Sequence, residues 1–253
     1  MKSFWRQDLR RGFLNAGFFA GLLAVAWILV AGSFQSPLNR SRSSYHILAD
    51  IYAASGFGPF AAIFPGLAYA SVFCEEYTSG YLKMILSRMS WKKFGLIRML
   101  SAALSGGLML ALPIAAACGI AFTCGIPGIP SGSDRGLLDG TVVHYYIEHY
   151  GDWYIFAGKV LLGFLFGCMW ALAGLAFAVW MPNKYVALIG PFVLYEAMWL
   201  SLGTGRLMVL NPIYMWRGED LNSYPLSVLM ECIYILLAAA AVMLGLKRRC
   251  RNG

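Results

Sequence analysis

Three ionisable residues interrupt stretches that are otherwise apolar: Lys159, Glu196 and Glu231. A charge placed in hydrocarbon is costly, so each marks a functional site or a structural ion pair. Lys159 lies six residues past Trp153 and Glu231 six past Pro225, while Glu196 lies about eight short of the end of its own apolar run. At about 1.5 Å per residue, all three sit roughly 9–12 Å below one membrane boundary. That common depth predicts an intramembrane charge cluster in which Lys159 pairs with Glu196, Glu231 or both. The cluster would serve either as an ordinary structural ion pair with a snorkelling lysine or as part of a substrate or ion path. Other motifs carry less chemistry. His144, Glu148 and His149 form HYYIEH, whose histidines stand five apart, whereas zinc peptidases use HExxH or HxxEH. An interfacial loop helix fits that segment better. Gly158-Lys159-Val160 lacks the preceding glycine and the following Ser or Thr of a phosphate-binding loop. No nucleotide site, no metal site and no catalytic constellation is predicted in this chain. The six cysteines show no CxxC spacing and read as reduced, structural thiols.

The elements that carry these residues are long and apolar. Of 253 residues, 59% are hydrophobic and 13% charged, about half the charge of an ordinary soluble domain. Runs near twenty residues place the chain among multi-spanning, all-α membrane proteins. Six spans are expected, at residues 13–33, 51–73, 99–124, 153–181, 185–202 and 225–246 of a single transmembrane domain covering 1–253. The first apolar run lacks a cleavage site and reads as a retained span. Residues 1–12 precede it as a basic amphipathic helix, with Trp5, Leu9 and Phe13 at helical spacing among Lys2, Arg6, Arg10 and Arg11. Such a helix lies in the headgroup region. The second span contains Gly56, Gly58, Pro59, Pro65 and Gly66 and is expected to be kinked, its freed backbone groups satisfied by neighbours. The third carries Ser101, Ser105, Gly106 and Gly107, small enough for close helix packing. The two halves share no repeat, which argues against an inverted-repeat transporter.

The net charge of +8 is placed at the ends of spans, not in a nucleic-acid-binding stripe. Counted loop by loop, fourteen basic residues fall on the side of the two termini, from Lys2 through Lys83, Arg98 and Lys184 to Arg251. Five fall on the other side: Arg40, Arg42, Arg135, Arg206 and Arg217. Positive charge marks the cytoplasmic side, so both termini are expected there. Residues 74–98 then form a cytoplasmic loop. Its first half predicts a short helix with Tyr81, Leu82, Ile85 and Leu86 along one side and Lys83 off it. Its second half, from Ser90, is expected to lie along the membrane before turning in.

This loop carries a pattern: Glu75-Glu76, Gly80, Lys83, Ile85-Leu86-Ser87, Arg88, Ser90, Lys92-Lys93 and Arg98. In that pattern, and in its length, six spans and basic N-terminal helix, the chain resembles the permease subunits of the type-2 ABC exporter family. The resemblance implies that residues 74–98 hold a coupling helix docking on a separate ATP-binding subunit through Glu75, Glu76, Gly80, Tyr81, Lys83, Leu86 and Arg88. It implies ATP and Mg in that partner, two permease chains per complex, and export of an amphipathic peptide, lipid or drug across a bacterial plasma membrane. The segments 125–152 and 203–224 would cover the exit. The competing expectation is an ion- or proton-coupled transporter or channel that uses Lys159, Glu196 and Glu231 as a relay.

Overall fold

A computed structural model of the chain describes residues 2–35, 42–129, 141–203, 205–218 and 223–252. Arg40, Arg135, Glu219 and Asp220 lie outside the described residues, as do the side chains of Lys2, Lys83 and Arg206. The described structure is helical, apart from one bridge between Ser43 and Ile126. The elements are α1 (Lys2–Phe13), α2 (Ala16–Gln35), α3 (Ser44–Ser55), α4 (Phe57–Phe60), α5 (Phe64–Leu67), α6 (Ala70–Thr78), α7 (Tyr81–Arg88), α8 (Trp91–Cys124), α9 (Val142–Tyr150), α10 (Asp152–Trp180), α11 (Lys184–Ser201), α12 (Pro212–Arg217) and α13 (Tyr224–Asn252).

Among the described residues, five stretches are long and apolar enough to cross a membrane: Ala16–Phe34, Phe57–Thr78, Trp91–Cys124, Asp152–Trp180 and Tyr224–Arg251. Large apolar side chains stay exposed on their outer faces, among them Leu23 and Trp27 on α2 and Leu236 and Leu244 on α13. Helices apolar on both their buried and their exposed faces belong in lipid. The chain is an all-helical, multi-pass membrane protein. The expected fifth span corresponds to α11, which is shorter than the others, contains Pro191 and carries Lys184 and Glu196.

α8 and α10 form the centre. They approach through small residues: a Cβ added to Gly167 would collide with the Gly106 backbone, and one added to Gly107 would meet Phe164 and Cys168. The glycines expected to permit close packing therefore lie at a close helix crossing.

The second crossing is broken more heavily than a kink. It enters through α3, turns at Gly56 in the left-handed conformation (φ 61°), and continues as α4, α5 and α6. Its loose carbonyls find donors on other helices. Gly58 O accepts the Tyr195 hydroxyl of α11 at 2.8 Å, and Ala68 O accepts the Asn15 amide at 2.6 Å. Asn15 also caps α2 by accepting the Phe18 N–H at 2.7 Å, so one side chain joins the α1–α2 turn to the break in the second crossing. One expectation is corrected. The chain from Ser90 does not run along a surface and then turn in near Met99: α8 is continuous from Trp91, because nothing between Lys92 and Leu112 interrupts its hydrogen-bond ladder.

The two ends of the bundle differ. The C-terminus of α6, α7, the start of α8 and the last turns of α10 and α13 come together at one end, where Arg249 contacts the Tyr77 ring and the Val179 and Trp180 carbonyls. α1 joins them through Arg11 and Glu76. At the other end, Ser43 meets Ile126, Gly128 N–H donates to Asp152, and Tyr146 of α9 packs on Tyr154 and Tyr224. Burial first, then the neighbouring Tyr154, pushes the Tyr146 phenol up, so that the ring packs as a neutral group.

Candidate functional site

At the basic end, four charged side chains and a tyrosine from three segments of chain converge. Asp8 comes from α1, Tyr69 and Glu76 from the second crossing, Arg98 from the second turn of α8, and Arg11 closes the set from the rim. Arg98 and Asp8 are each only 1% exposed. The Arg98 guanidinium contacts Asp8 Oδ1 at 2.6 Å with one nitrogen and Glu76 Oε2 with the other, and it also donates to the Tyr69 hydroxyl. The Tyr69 hydroxyl in turn donates a hydrogen bond to Asp8 Oδ1 at 2.6 Å. Arg11 reaches the second Glu76 oxygen at 2.6 Å. Three aromatic rings surround the guanidinium, with Phe94 5.0 Å from it, Tyr69 5.5 Å and Phe4 5.8 Å.

The arrangement follows from the local chain. Asp8 is the one acid in α1, four residues before Gly12, which packs against Tyr69 and Ser105. Tyr69 occupies the break before α6, and Glu76 lies two turns further along that helix. Two cations face two carboxylates, so the network carries no net charge. That balance is what makes its burial bearable. Asp8 Oδ2 and Arg98 Nε remain without hydrogen-bond partners. Each such buried group costs about 1–3 kcal/mol, so the network is not fully satisfied in this conformation.

Sequence reasoning counted Arg98 as a loop charge and made nothing of Asp8 or Tyr69. A lone acid on a basic amphipathic helix was the available signal, and it pointed to an inward face.

The loop helix is present as α7, introduced by Gly80 in the left-handed conformation (φ 74°). Its apolar side turns inward, with Leu82 and Ile85 buried and Tyr81 and Leu86 partly so. Met84, Ser87 and Arg88 face outward, as does Glu75 on the preceding helix. Of the residues expected to dock a partner, Glu75 and Arg88 are exposed, Gly80, Tyr81 and Leu86 are half-buried, and Glu76 is committed to Arg98 and Arg11. Tyr81 itself lies beneath the Arg11 guanidinium.

The three charges expected to meet near the other end are not joined to each other. The Lys159 ammonium is buried, donates to the Arg217 carbonyl at 2.7 Å, and lies 5.8 Å from the Tyr52 ring centre. Arg217 ends α12, and a helix C-terminus presents carbonyls that attract a cation. Lys159 thus ties α10 to α12 through backbone. Glu231 is fully buried, and neither of its oxygens accepts a hydrogen bond; Ser227, one turn earlier, is likewise buried without a partner. Glu196 is half-buried, with Oε1 unpartnered. Position along a helix is one coordinate only: rotation about each helix axis decides which side chains face one another.

In the HYYIEH segment, His144 contacts Glu148 at 3.0 Å across one turn of α9, and His149 stacks on Tyr145. Among the described residues, no group of three His, Cys, Asp or Glu side chains is placed to hold a metal ion.

Comparison with protein-family models gives no match, and no curated protein matches the chain.

Proposed function

We propose that the chain is the membrane-spanning permease subunit of an ATP-driven exporter of the type-2 ABC kind, working with a separate ATP-binding subunit and a second permease chain in a bacterial plasma membrane. On this reading α11 is the fifth of six spans, both termini are cytoplasmic, and α1 lies along the inner membrane surface. The observation that carries the proposal is the seating of α7. It is a short helix whose inner side is buried against the bundle and whose outer side presents Met84, Ser87 and Arg88. The helix immediately before it is bound through Glu76 to α8 and α1. A push on α7 would pass through that ion network into α1, α8 and the broken second crossing together, which is what a coupling element must do. The cargo is an amphipathic molecule such as a peptide, lipid or drug.

The test is co-purification from detergent. A nucleotide-binding protein from the neighbouring reading frames should come down with the chain, and vanadate-sensitive ATP hydrolysis should require both. Transport that follows a proton gradient and needs no such partner would overturn the proposal. One observation favours that second reading: Glu231 is a buried carboxyl group without a donor, the kind of group a proton or cation relay uses.

A further inference from the structure

Two cavities meet at Trp180, where α10 ends. The first, of about 990 Å³, opens at the basic end among α7, α8, α10 and α13, and Trp91, Trp180 and Arg248 line it. The second, of about 440 Å³, runs deeper between α10, α11 and α13, with Phe177, Leu194, Leu237 and Ala238 in its wall. Trp180 belongs to both. Its indole N–H donates to the Ala241 carbonyl at 3.0 Å, which fixes the ring across the α10–α13 seam. The Arg248 guanidinium lies 5.6 Å from the centre of that ring.

The charge of the seam is one-sided. Among the described residues no carboxylate lines either cavity and none lies within ion-pair distance of Arg248. Arg249 is engaged with the carbonyls that end α10, which leaves the exposed Arg248 to face the first cavity. Below Trp180 the lining is almost wholly apolar, and Leu237 is exposed on it. From Arg248 to Leu237 is eleven residues of α13, about 16 Å of helix rise. Half of a hydrocarbon core is about 15 Å. A ligand that fits needs an anion at the level of Arg248 and a hydrocarbon chain one leaflet deep. An acidic peptide docking from water satisfies the first requirement and not the second.

We propose that this seam binds one anionic phospholipid of the leaflet at the basic end. The headgroup phosphate meets Arg248 beside the Trp91 and Trp180 rings, and an acyl chain lies in the apolar cavity past Trp180. Basic pockets between spans are suited to such headgroups. The lipid is a resident of the fold, distinct from any transported molecule, so the inference does not depend on an ATPase partner. Because Leu82 and Leu86 of α7 also line the first cavity, a lipid there would brace α7 against α10 and α13.

The experiment uses the full chain, delipidated in a neutral detergent and titrated separately with dioleoylphosphatidylglycerol, dioleoylphosphatidylcholine and inorganic phosphate. Native mass spectrometry reads the bound lipid, and thermal unfolding reads its effect on the fold. One phosphatidylglycerol should be retained per chain and raise the unfolding midpoint saturably, while phosphatidylcholine and phosphate do neither. Arg248→Gln, at an exposed position, should weaken phosphatidylglycerol about tenfold, the loss of one charge-assisted contact. Ala238→Phe, which fills the apolar cavity, should weaken it with Arg248 intact. Equal retention of the two lipids, or unchanged retention by Arg248→Gln, would overturn the proposal. So would displacement by inorganic phosphate alone, which would make it a headgroup-only anion site. Efficient Leu237→Cys cross-linking to a second copy, with no lipid retained, would assign the seam to a protomer interface instead.

Discussion

Arg98 and Glu231 are both buried charged residues, and their surroundings differ in a way that separates their roles. Arg98 has two carboxylates and a phenol around it; Glu231 has no hydrogen-bond donor at all. Removing one member of a paired set strands the others, at about 3–5 kcal/mol. Arg98→Met should therefore lower the thermal midpoint in detergent sharply, because Asp8 and Glu76 lose their common partner. Combining it with Asp8→Asn and Glu76→Gln should restore much of the loss. An unchanged midpoint in the single variant would mean that the network does not hold α1 to the bundle. Glu231→Leu should act in the opposite direction and leave the midpoint equal or higher, since it removes a buried polar group that gains nothing from its neighbours. If that variant also abolishes transport in vesicles, the carboxyl group is functional and the relay reading gains at the expense of the ATP-driven one.

Among the elements, the α8–α10 crossing leaves no room for a side chain. Gly167 faces the Gly106 backbone, so a side chain there cannot be accommodated by a rotamer change. Gly167→Val should cost more than the roughly 1–3 kcal/mol of ordinary overpacking, read as loss of the monodisperse peak on size exclusion. Gly119→Ala, on the facing helix α8 with open space around its Cβ position, is the control and should behave as wild type. The exposed side of α7 gives the converse experiment. Met84→Asp with Arg88→Glu should leave the midpoint within about 0.5 kcal/mol of wild type, as surface changes do, while abolishing the proposed association with an ATP-binding subunit. Retained association would remove α7 from the docking surface. Gly80→Ala should weaken the turn into α7 by about 1–2 kcal/mol, because φ of 74° is a left-handed conformation.

At the scale of the molecule, composition and spacing made the helical membrane class legible, because a stretch of about twenty apolar residues has few other stable fates. The basic amphipathic start, the broken second crossing, the glycine contact and the helix after Gly80 were legible too, since each is a local pattern with a local physical cause. The bend near Met99 was misread because the basic residues from Lys92 to Arg98 look like a loop, yet a helix can run through them when its first turns stand at the membrane edge. What the linear order could not supply was partnership. Arg98 meets Asp8 across ninety positions, Lys159 meets the Arg217 carbonyl and neither Glu196 nor Glu231, and Trp180 joins two cavities. Hydropathy sets how deep a residue sits along its helix, whereas the rotation of that helix and the choice of neighbour are settled only when side chains from distant segments pack. The sequence alone thus determined that this chain enters the bilayer and where its charges fall along it. The tertiary structure decided which of those charges neutralise one another, which stand alone, and which are left facing a lipid-sized groove.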